Sequence, residues 1–405
     1  MGKLLEVALG IVTGIGGFLE AGSLATAAQA GAGFGFQLVW AIVLGSICIA
    51  FLTEMAGRLA AVSHHTMPDA MRERFGLRFF LVPLITVGLV SFLVLASEIG
   101  GVSLALQFAT GVPARWWALP VAVALWLLLW KGTFSVVEKG ASLLGLVTLT
   151  FVVAAFRLGP EPREVLAGIL PSLPSHEPAK YWFTAVSILG ASVSPYLFYF
   201  YSAGAVEDGW DESYLMVNRL TAGLGMTFGG CVAVAALVCA AVVLQPRGIG
   251  VDQYDQVALL LSTPLGRAGF WLFVASLGIA CAGAALQIAL QIAYLTAQGF
   301  GWPWSENLYP RQAARFSLVY TLALPLAALL ILAGMDVLKL TIMSMALTAL
   351  SLPVTVVPLL VLMNDPLYLG DHTNGWISNA AVLVVSAIAC LVALVAIPLQ
   401  ILGGS

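Results

Sequence analysis

Long apolar runs alternate with short polar punctuation along nearly the whole chain of 405 residues. A membrane-spanning helix needs about 20 mainly apolar residues. Runs of that kind lie near residues 4–30, 35–62, 79–109, 116–131, 140–157, 181–205, 217–244, 268–298, 315–333, 338–362 and 377–402, and the fourth is short. The pattern predicts eleven spanning helices. The longest polar interruption runs from Gly159 to Lys180, so the chain reads as a single membrane domain. Composition agrees, with 60% hydrophobic residues and 9% charged. A soluble domain carries roughly 25% charged residues, and that deficit excludes a water-facing surface. The expected class is an all-α integral membrane protein.

Net charge is −3 and no basic cluster suggests nucleic acid. Cys48, Cys231, Cys239, Cys281 and Cys390 all sit in apolar stretches without disulfide or zinc spacing, as small packing residues do. The opening MGKLLEVALG continues past signal-peptide length, and no polar mature domain follows, so it reads as the first span. Orientation follows the positive-inside rule. A cytoplasmic N-terminus puts Lys3, Arg58, Arg72, Arg74, Arg78, Lys131, Lys139, Arg219, Arg311 and Arg315 inside. Arg115, Arg157, Arg163, Lys180, Arg247, Arg267 and Lys339 then lie outside. An odd number of spans places the C-terminus outside, in what is expected to be a bacterial inner (plasma) membrane.

Two spans are interrupted. The first contains Gly10, Gly14, Gly16, Gly17 and Gly22, with Glu20 in their midst. Glycine costs about 1 kcal/mol per helix-interior position relative to alanine. A carboxylate near the bilayer centre costs about 3 kcal/mol on insertion scales. Glycines alone also suit close packing, with Gly10-xxx-Gly14 as such a face. The costly acid beside them points instead to a broken helix with a polar site. The sixth span carries Pro195 near its centre. Proline has no N–H to donate, so the carbonyls near Gly190, Ala191 and Ser192 are left to face a ligand. Interrupted helices at matching positions of two five-helix halves are the sequence mark of a transporter site between inverted repeats. The halves are residues 1–157 and 178–362, with 377–402 as an added helix.

At these residues the chain resembles the NRAMP (natural resistance-associated macrophage protein) family of divalent-metal transporters. The family pattern GYL-DPGN-WATDIQAG aligns without a gap on GFLEAGSLATAAQAG, residues 17–31. The metal-binding Asp falls on Glu20 and the Asn on Ser23. The sixth-helix pattern GATVMPHNLYLHSA aligns on GASVSPYLFYFYSA, residues 190–203. Its backbone donor falls on Ala191 and its proline on Pro195. The thioether ligand becomes Ser194, and both histidines become tyrosines, Tyr196 and Tyr201. ASEIGGVSLAL resembles the third helix and places Glu98 on a family acid used in proton transfer, while a preceding Asp becomes Leu95. VEKGASLLGLV resembles the fifth helix, and LTALSLPVTVVPLLVLMND the tenth, where a Gln near the metal falls on Met345. The resemblance covers nearly the whole chain. It implies a LeuT-like fold of two inverted five-helix repeats, with a metal set of Glu20, Ser23, Ala191 and Ser194.

The departures change the expected chemistry. With Ser194 the soft sulfur is gone, and carboxylate, hydroxyl and carbonyl oxygens suit Mg²⁺, Mn²⁺ or Ca²⁺. Met345 offers a sulfur from another helix, although such a Met more often packs. The missing histidines, and a missing Arg in the ninth helix, thin the proton route and leave Glu98 as the candidate proton carrier. Gln287 and Gln291 share one helix face and are candidates either for lining the path or for bridging helices by hydrogen bonds. Tyr196 and Tyr199 are candidates too, within the row Tyr196, Phe198, Tyr199, Phe200, Tyr201. Glu54 and Arg58, four apart, form an ion pair on the plain reading. The acidic loop Glu207, Asp208, Asp211, Glu212 reads mainly as solvated charge. His64, His65, His176 and His372 fall in loops, which argues against metal binding and against any Ser/His/Asp enzyme.

The expected function is alternating-access transport of a partly hydrated divalent cation, Mg²⁺ or Mn²⁺, with weak or absent proton coupling. The cation is substrate and no cofactor is expected. The expected partners are that cation and the lipid bilayer, with no obligate protein partner. A rival of the same fold carries an organic cation against the aromatic row. A second rival is a membrane sensor that no longer transports.

Overall fold

The computed structural model describes residues 20–131, 146–174 and 176–403. Everything regular among them is helical: α1 (Ala21–Phe34), α2 (Val39–Ser63), α3 (Met67–Phe75), α4 (Leu77–Thr110), α5 (Ala114–Trp130), α6 (Thr150–Leu158), α7 (Pro162–Ala167), α8 (Pro178–Ser192), α9 (Pro195–Glu207), α10 (Leu215–Val243), α11 (Tyr254–Phe300), α12 (Ala314–Leu332), α13 (Val337–Met363), α14 (Pro366–Leu369) and α15 (Trp376–Gly403). Eight helical segments among the described residues are long and apolar enough to cross a membrane, and α8 with α9 counts as one of them. The segments 114–130 and 146–158 are shorter apolar helices. With α1 as the described part of the first span, these match the eleven predicted runs. Residues 4–19, with Gly10, Gly14, Gly16 and Gly17, and most of the fifth-helix motif lie outside the described residues.

The outer faces meet lipid. Leu318, Leu322, Leu326 and Leu329 recur at helical spacing along α12 and all stay exposed. So do Ile85 and Leu89 on α4, and Leu383, Leu391 and Leu394 on α15. A soluble monomer seldom exposes such continuous apolar stripes, and hydrocarbon removes their cost. The sequence expectation for 268–298 gains an upstream extension. Helix α11 has 47 residues, yet Gly266, after Pro264, takes φ 64° and ψ −146°. That break separates a segment of 254–265 from the spanning part.

Helices α1, α8, α9, α4, α11 and α13 surround the interior. Helix α11 lies along α4, α8 packs on α13, and α1 packs on α10 and α8. Small residues allow this closeness. A Cβ at Gly190 would collide with the Met345 carbonyl oxygen, and one at Gly31 with that of Leu237. With little hydrophobic drive between helices in lipid, such close backbone approach is what lets them associate.

Polar fastenings hold one end. Arg58 donates to both Glu54 oxygens at 3.0 Å, to the His372 carbonyl at 2.5 Å and to Asn374 Oδ1 at 2.6 Å. The expected i,i+4 pair is thus part of a link between α2 and the segment before α15. The acidic loop also departs from simple solvation. Glu207 accepts from Tyr294 Oη at 3.0 Å, Asn307 Nδ2 at 2.9 Å and the Ser305 hydroxyl, which ties the end of α9 to the turn after α11. A run of acids shows no such partner in sequence, because its donors lie about a hundred residues away.

Gly190→Ala should therefore force α8 off α13. Overpacking of this kind costs about 1–3 kcal/mol. The expected result is a lower thermal midpoint of the detergent-solubilised protein, measured by tryptophan fluorescence. An unchanged midpoint would contradict the close α8–α13 approach.

Candidate functional site

The start of α1 meets the break between α8 and α9 in the interior. Glu20 stands before α1 in extended conformation, φ −122° and ψ 175°, and is 2% exposed. Helix α8 ends at Ser192, Val193 and Ser194 are non-helical, and Pro195 starts α9. The carbonyl of Ala191 would normally accept from residue 195, which is proline and has no N–H to give. The Ser194 hydroxyl takes its place. Ser194 Oγ lies 3.2 Å from the Ala191 oxygen, 3.3 Å from that of Gly190 and 3.3 Å from Glu20 Oε1. One hydroxyl proton can serve only one of these at a time. Tyr196 Oη donates to Glu20 Oε2 at 2.8 Å. Carboxylate, hydroxyl and freed carbonyl therefore converge where the two helices break.

The start of α1 is completed from α4. The Ala21 N–H, left over at the helix N-terminus, points at both oxygens of Glu98, at 3.2 and 3.3 Å. A carboxylate there satisfies an orphan donor and complements the helix dipole. Glu98 is wholly buried and its neighbour is thus the helix that presents Glu20. Tyr254 Oη, from the far end of α11, donates to the Ala21 carbonyl at 3.3 Å or to Thr341 Oγ1 at 3.4 Å.

The other expected residues separate into groups. Ser23 is buried in the first turn of α1. Met345 is fully buried against Gly22, where a Cβ would meet its Sδ at 2.6 Å. Packing between α1 and α13 accounts for it. Tyr199 does not reach the site, because its hydroxyl points to Met71 Sδ at 3.5 Å. Gln287 and Gln291 are buried on α11, and their amides have unpartnered atoms. Gln298, eleven residues beyond Gln287, continues the same face and is equally buried and unpartnered. An eleven-residue step is close to three helical turns, so the three form one stripe about 16 Å long. Sequence reasoning stopped at the i,i+4 pair and missed its third member.

The aromatic row does not form one wall. Phe198 stacks on Tyr199, Phe200 packs on Tyr294, and Tyr201 meets Trp210 edge-on. A cation box needs ring faces turned to one point, and these rings serve separate packing contacts. Among the described residues no three His, Cys, Asp or Glu side chains converge on a common point. His65 pairs with Glu73 at 3.1 Å, and His176 approaches the Gly33 carbonyl at 3.0 Å. His65 and His176 thus have surface partners, and the groups hydrogen-bonded to the Glu20 carboxylate are hydroxyls.

Comparison with known proteins agrees with this architecture. A divalent metal cation transporter MntH of Erwinia tasmaniensis is 26% identical over 369 residues, 88% of this chain and 86% of its own. A crystal structure of an Eremococcus coleocola manganese transporter, bound to an aromatic bis-isothiourea compound, superposes with a TM-score of 0.80 at 19% identity. It covers 98% of this chain and 87% of that one. Mhp1, a nucleobase-cation-symport-1 family transporter in a closed conformation, superposes at 0.63 with 14% identity, covering 97% and 92%. The fold is therefore LeuT-like, the arrangement shared across these helical transporters. The family model for natural resistance-associated macrophage protein-like sequences matches residues 10–398, so this chain belongs to the Nramp family, a multi-pass membrane transporter and not an enzyme.

Proposed function

We propose that this protein carries a divalent metal cation across the membrane, with Mn²⁺ and Mg²⁺ favoured. The carrying observation is the convergence of Glu20, Ser194 and Tyr196 at the two helix breaks. The relatives named as divalent metal and manganese transporters support the substrate class. The ligands are the Glu20 carboxylate, the Ser23 and Ser194 hydroxyls and the Ala191 carbonyl. Four oxygens of this kind suit a hard cation that keeps some of its water. The splayed aromatic row weighs against an organic cation.

Transport proceeds by alternating access, with residues 1–157 and 178–362 as the two repeats and 377–402 as the added helix. The glutamine stripe of α11 lines the way from the site toward the cytoplasm. In hydrocarbon or dry protein five unpartnered amide atoms are costly, whereas a watered path satisfies them. The N-terminus is cytoplasmic and the C-terminus outside, in a bacterial inner membrane. Proton coupling is weak or absent. Tyrosines replace the titrating histidines, and Glu98 is engaged with the Ala21 N–H.

Uptake of Mn²⁺ and Mg²⁺ into proteoliposomes tests this reading, with Glu20→Gln beside the wild type and a trapped pH dye in parallel. Glu20→Gln should lower uptake more than about tenfold, which corresponds to ~1.4 kcal/mol. Little proton flux should accompany the cation. Folded wild-type protein that moves neither ion would overturn the proposal.

Tyr196→Phe strips Glu20 Oε2 of its donor. A buried acceptor left without a partner costs about 1–3 kcal/mol. The variant should melt earlier than wild type without metal and recover more of that loss on adding Mn²⁺. Equal melting of the two proteins would show that the hydrogen bond contributes nothing.

A further inference from the structure

A groove of about 610 Å³ opens between the end of α13, the start of α15 and Arg74 of α3. An ion or a few waters need far less, at roughly 30 Å³ for each water. The two ends of the groove differ in character. Arg74, Asn364, Asp365 and Asn379 line one, and Val357, Val361 and Leu383 line the other. The apolar three are exposed, so the described chain does not cover them. Their depth follows from α15, which opens with an exposed Trp376. Tryptophan, apolar in body and polar at one edge, collects at the membrane–water boundary. Asn379 lies about one turn further along α15 and Leu383 about one more. On α13 the step from Asn364 back to Val357 descends about 10 Å at 1.5 Å per residue. The groove thus begins at headgroup level and ends in hydrocarbon.

The polar end is pre-arranged and its charges cancel. Arg74 Nε donates to Asp365 Oδ2 at 2.8 Å, and Asp365 Oδ1 accepts from the Leu367 N–H at 3.0 Å. Asn364 and Asn379 exchange amide hydrogen bonds at 3.0 and 2.8 Å, and Asn374 adds one to Asn379 at 2.7 Å. Asn374 also accepts from Arg58, so this end is continuous with the fastening of α2. Two groups retain capacity toward the groove. The terminal nitrogens of Arg74 make no hydrogen bond to the described residues, and its side chain is half-exposed. Asn364 Oδ1 accepts one hydrogen bond and has a second lone pair.

We propose that this groove binds one zwitterionic phospholipid with a primary amine, phosphatidylethanolamine. The phosphate meets the terminal nitrogens of Arg74, whose planar fork matches phosphate oxygens. The ammonium group donates to Asn364 Oδ1, and an acyl chain lies along Val357, Val361 and Leu383. Because Arg74 is already paired with Asp365, the groove carries no net charge, which matches a zwitterion better than an anionic headgroup. A soluble phosphate ester would leave the apolar half unused. The bound lipid bridges α3, α13 and α15 beside the Arg58 fastening and steadies that end of the molecule.

Native mass spectrometry of the detergent-solubilised full chain, titrated with phosphatidylethanolamine, tests this. Arg74→Gln should weaken the first binding event at least tenfold. Arg115→Gln, at an exposed arginine of α5 outside the groove, should leave it unchanged. Because Arg74→Gln also breaks the pair with Asp365, Val361→Trp is the second variant. It fills the apolar half, leaves the pair intact and should weaken binding by a similar factor. Phosphatidylcholine, whose headgroup has no N–H, and phosphatidylglycerol, which adds net charge, should each bind at least fivefold more weakly. Glycerophosphoethanolamine, the same headgroup without chains, should not compete. Wild-type affinity in either groove variant would overturn the proposal. So would either of the other lipids binding as tightly as phosphatidylethanolamine, or displacement by the chain-free headgroup.

Discussion

Inside a membrane a broken helix has no water to complete it, and that constraint organises this molecule. The start of α1 faces the break between α8 and α9, and side chains complete both. Pro195 deprives the Ala191 carbonyl of its usual N–H, and the Ser194 hydroxyl stands in. The start of α1 leaves the Ala21 N–H over, and Glu98 accepts it from α4. Unpaired backbone groups at this depth cost several kcal/mol each, so these substitutes are conditions for the breaks to exist. Once the breaks exist, carbonyl and carboxylate oxygens face a common point, which helical backbone could not offer.

The same constraint links the site to what must move. Helices α1 and α9 carry the acid and the tyrosine, and both begin at a break. Helices α4, α11 and α13 supply the close-packed surroundings, in which Gly190 and Met345 set the distance between α8 and α13. Fastenings at Glu54–Arg58 and at Glu207 lie away from the midplane and hold loops rather than ligands. A carrier needs such reversible polar contacts at its ends, because they exchange readily with water while the interior packing persists.

Much of this was legible in sequence. Eleven apolar runs were predictable because bilayer thickness fixes their length, and the kink at Gly266 was the notable addition. Glu20 and the Ala191 carbonyl drew notice in sequence because a buried acid and a mid-span proline are each expensive, and Ser194 drew it through the family pattern alone; the structure brings Ser194 within 3.3 Å of Glu20. Only the family pattern, one of whose histidines it replaces, set Tyr196 apart within its row of five aromatics, and Tyr199 points to Met71 instead. Tyr254 was not legible as a neighbour of the site. It is one amphipathic residue at the start of α11, and only the approach of that helix to α1 brings its hydroxyl to the Ala21 carbonyl. Glu207 was misjudged for the same reason, since its donors come from a distant turn.

The most direct test of the central claim is the position of the ion itself. Anomalous diffraction at the manganese edge from crystals of the Mn²⁺-loaded protein would give it. The account predicts a peak roughly 2.0–2.6 Å from a Glu20 carboxylate oxygen, the range of hard-cation bonds to oxygen. The Ala191 carbonyl should lie at similar range or one water away. A peak remote from both helix breaks, with Glu20 still bonded to Tyr196 and Ser194 alone, would contradict it.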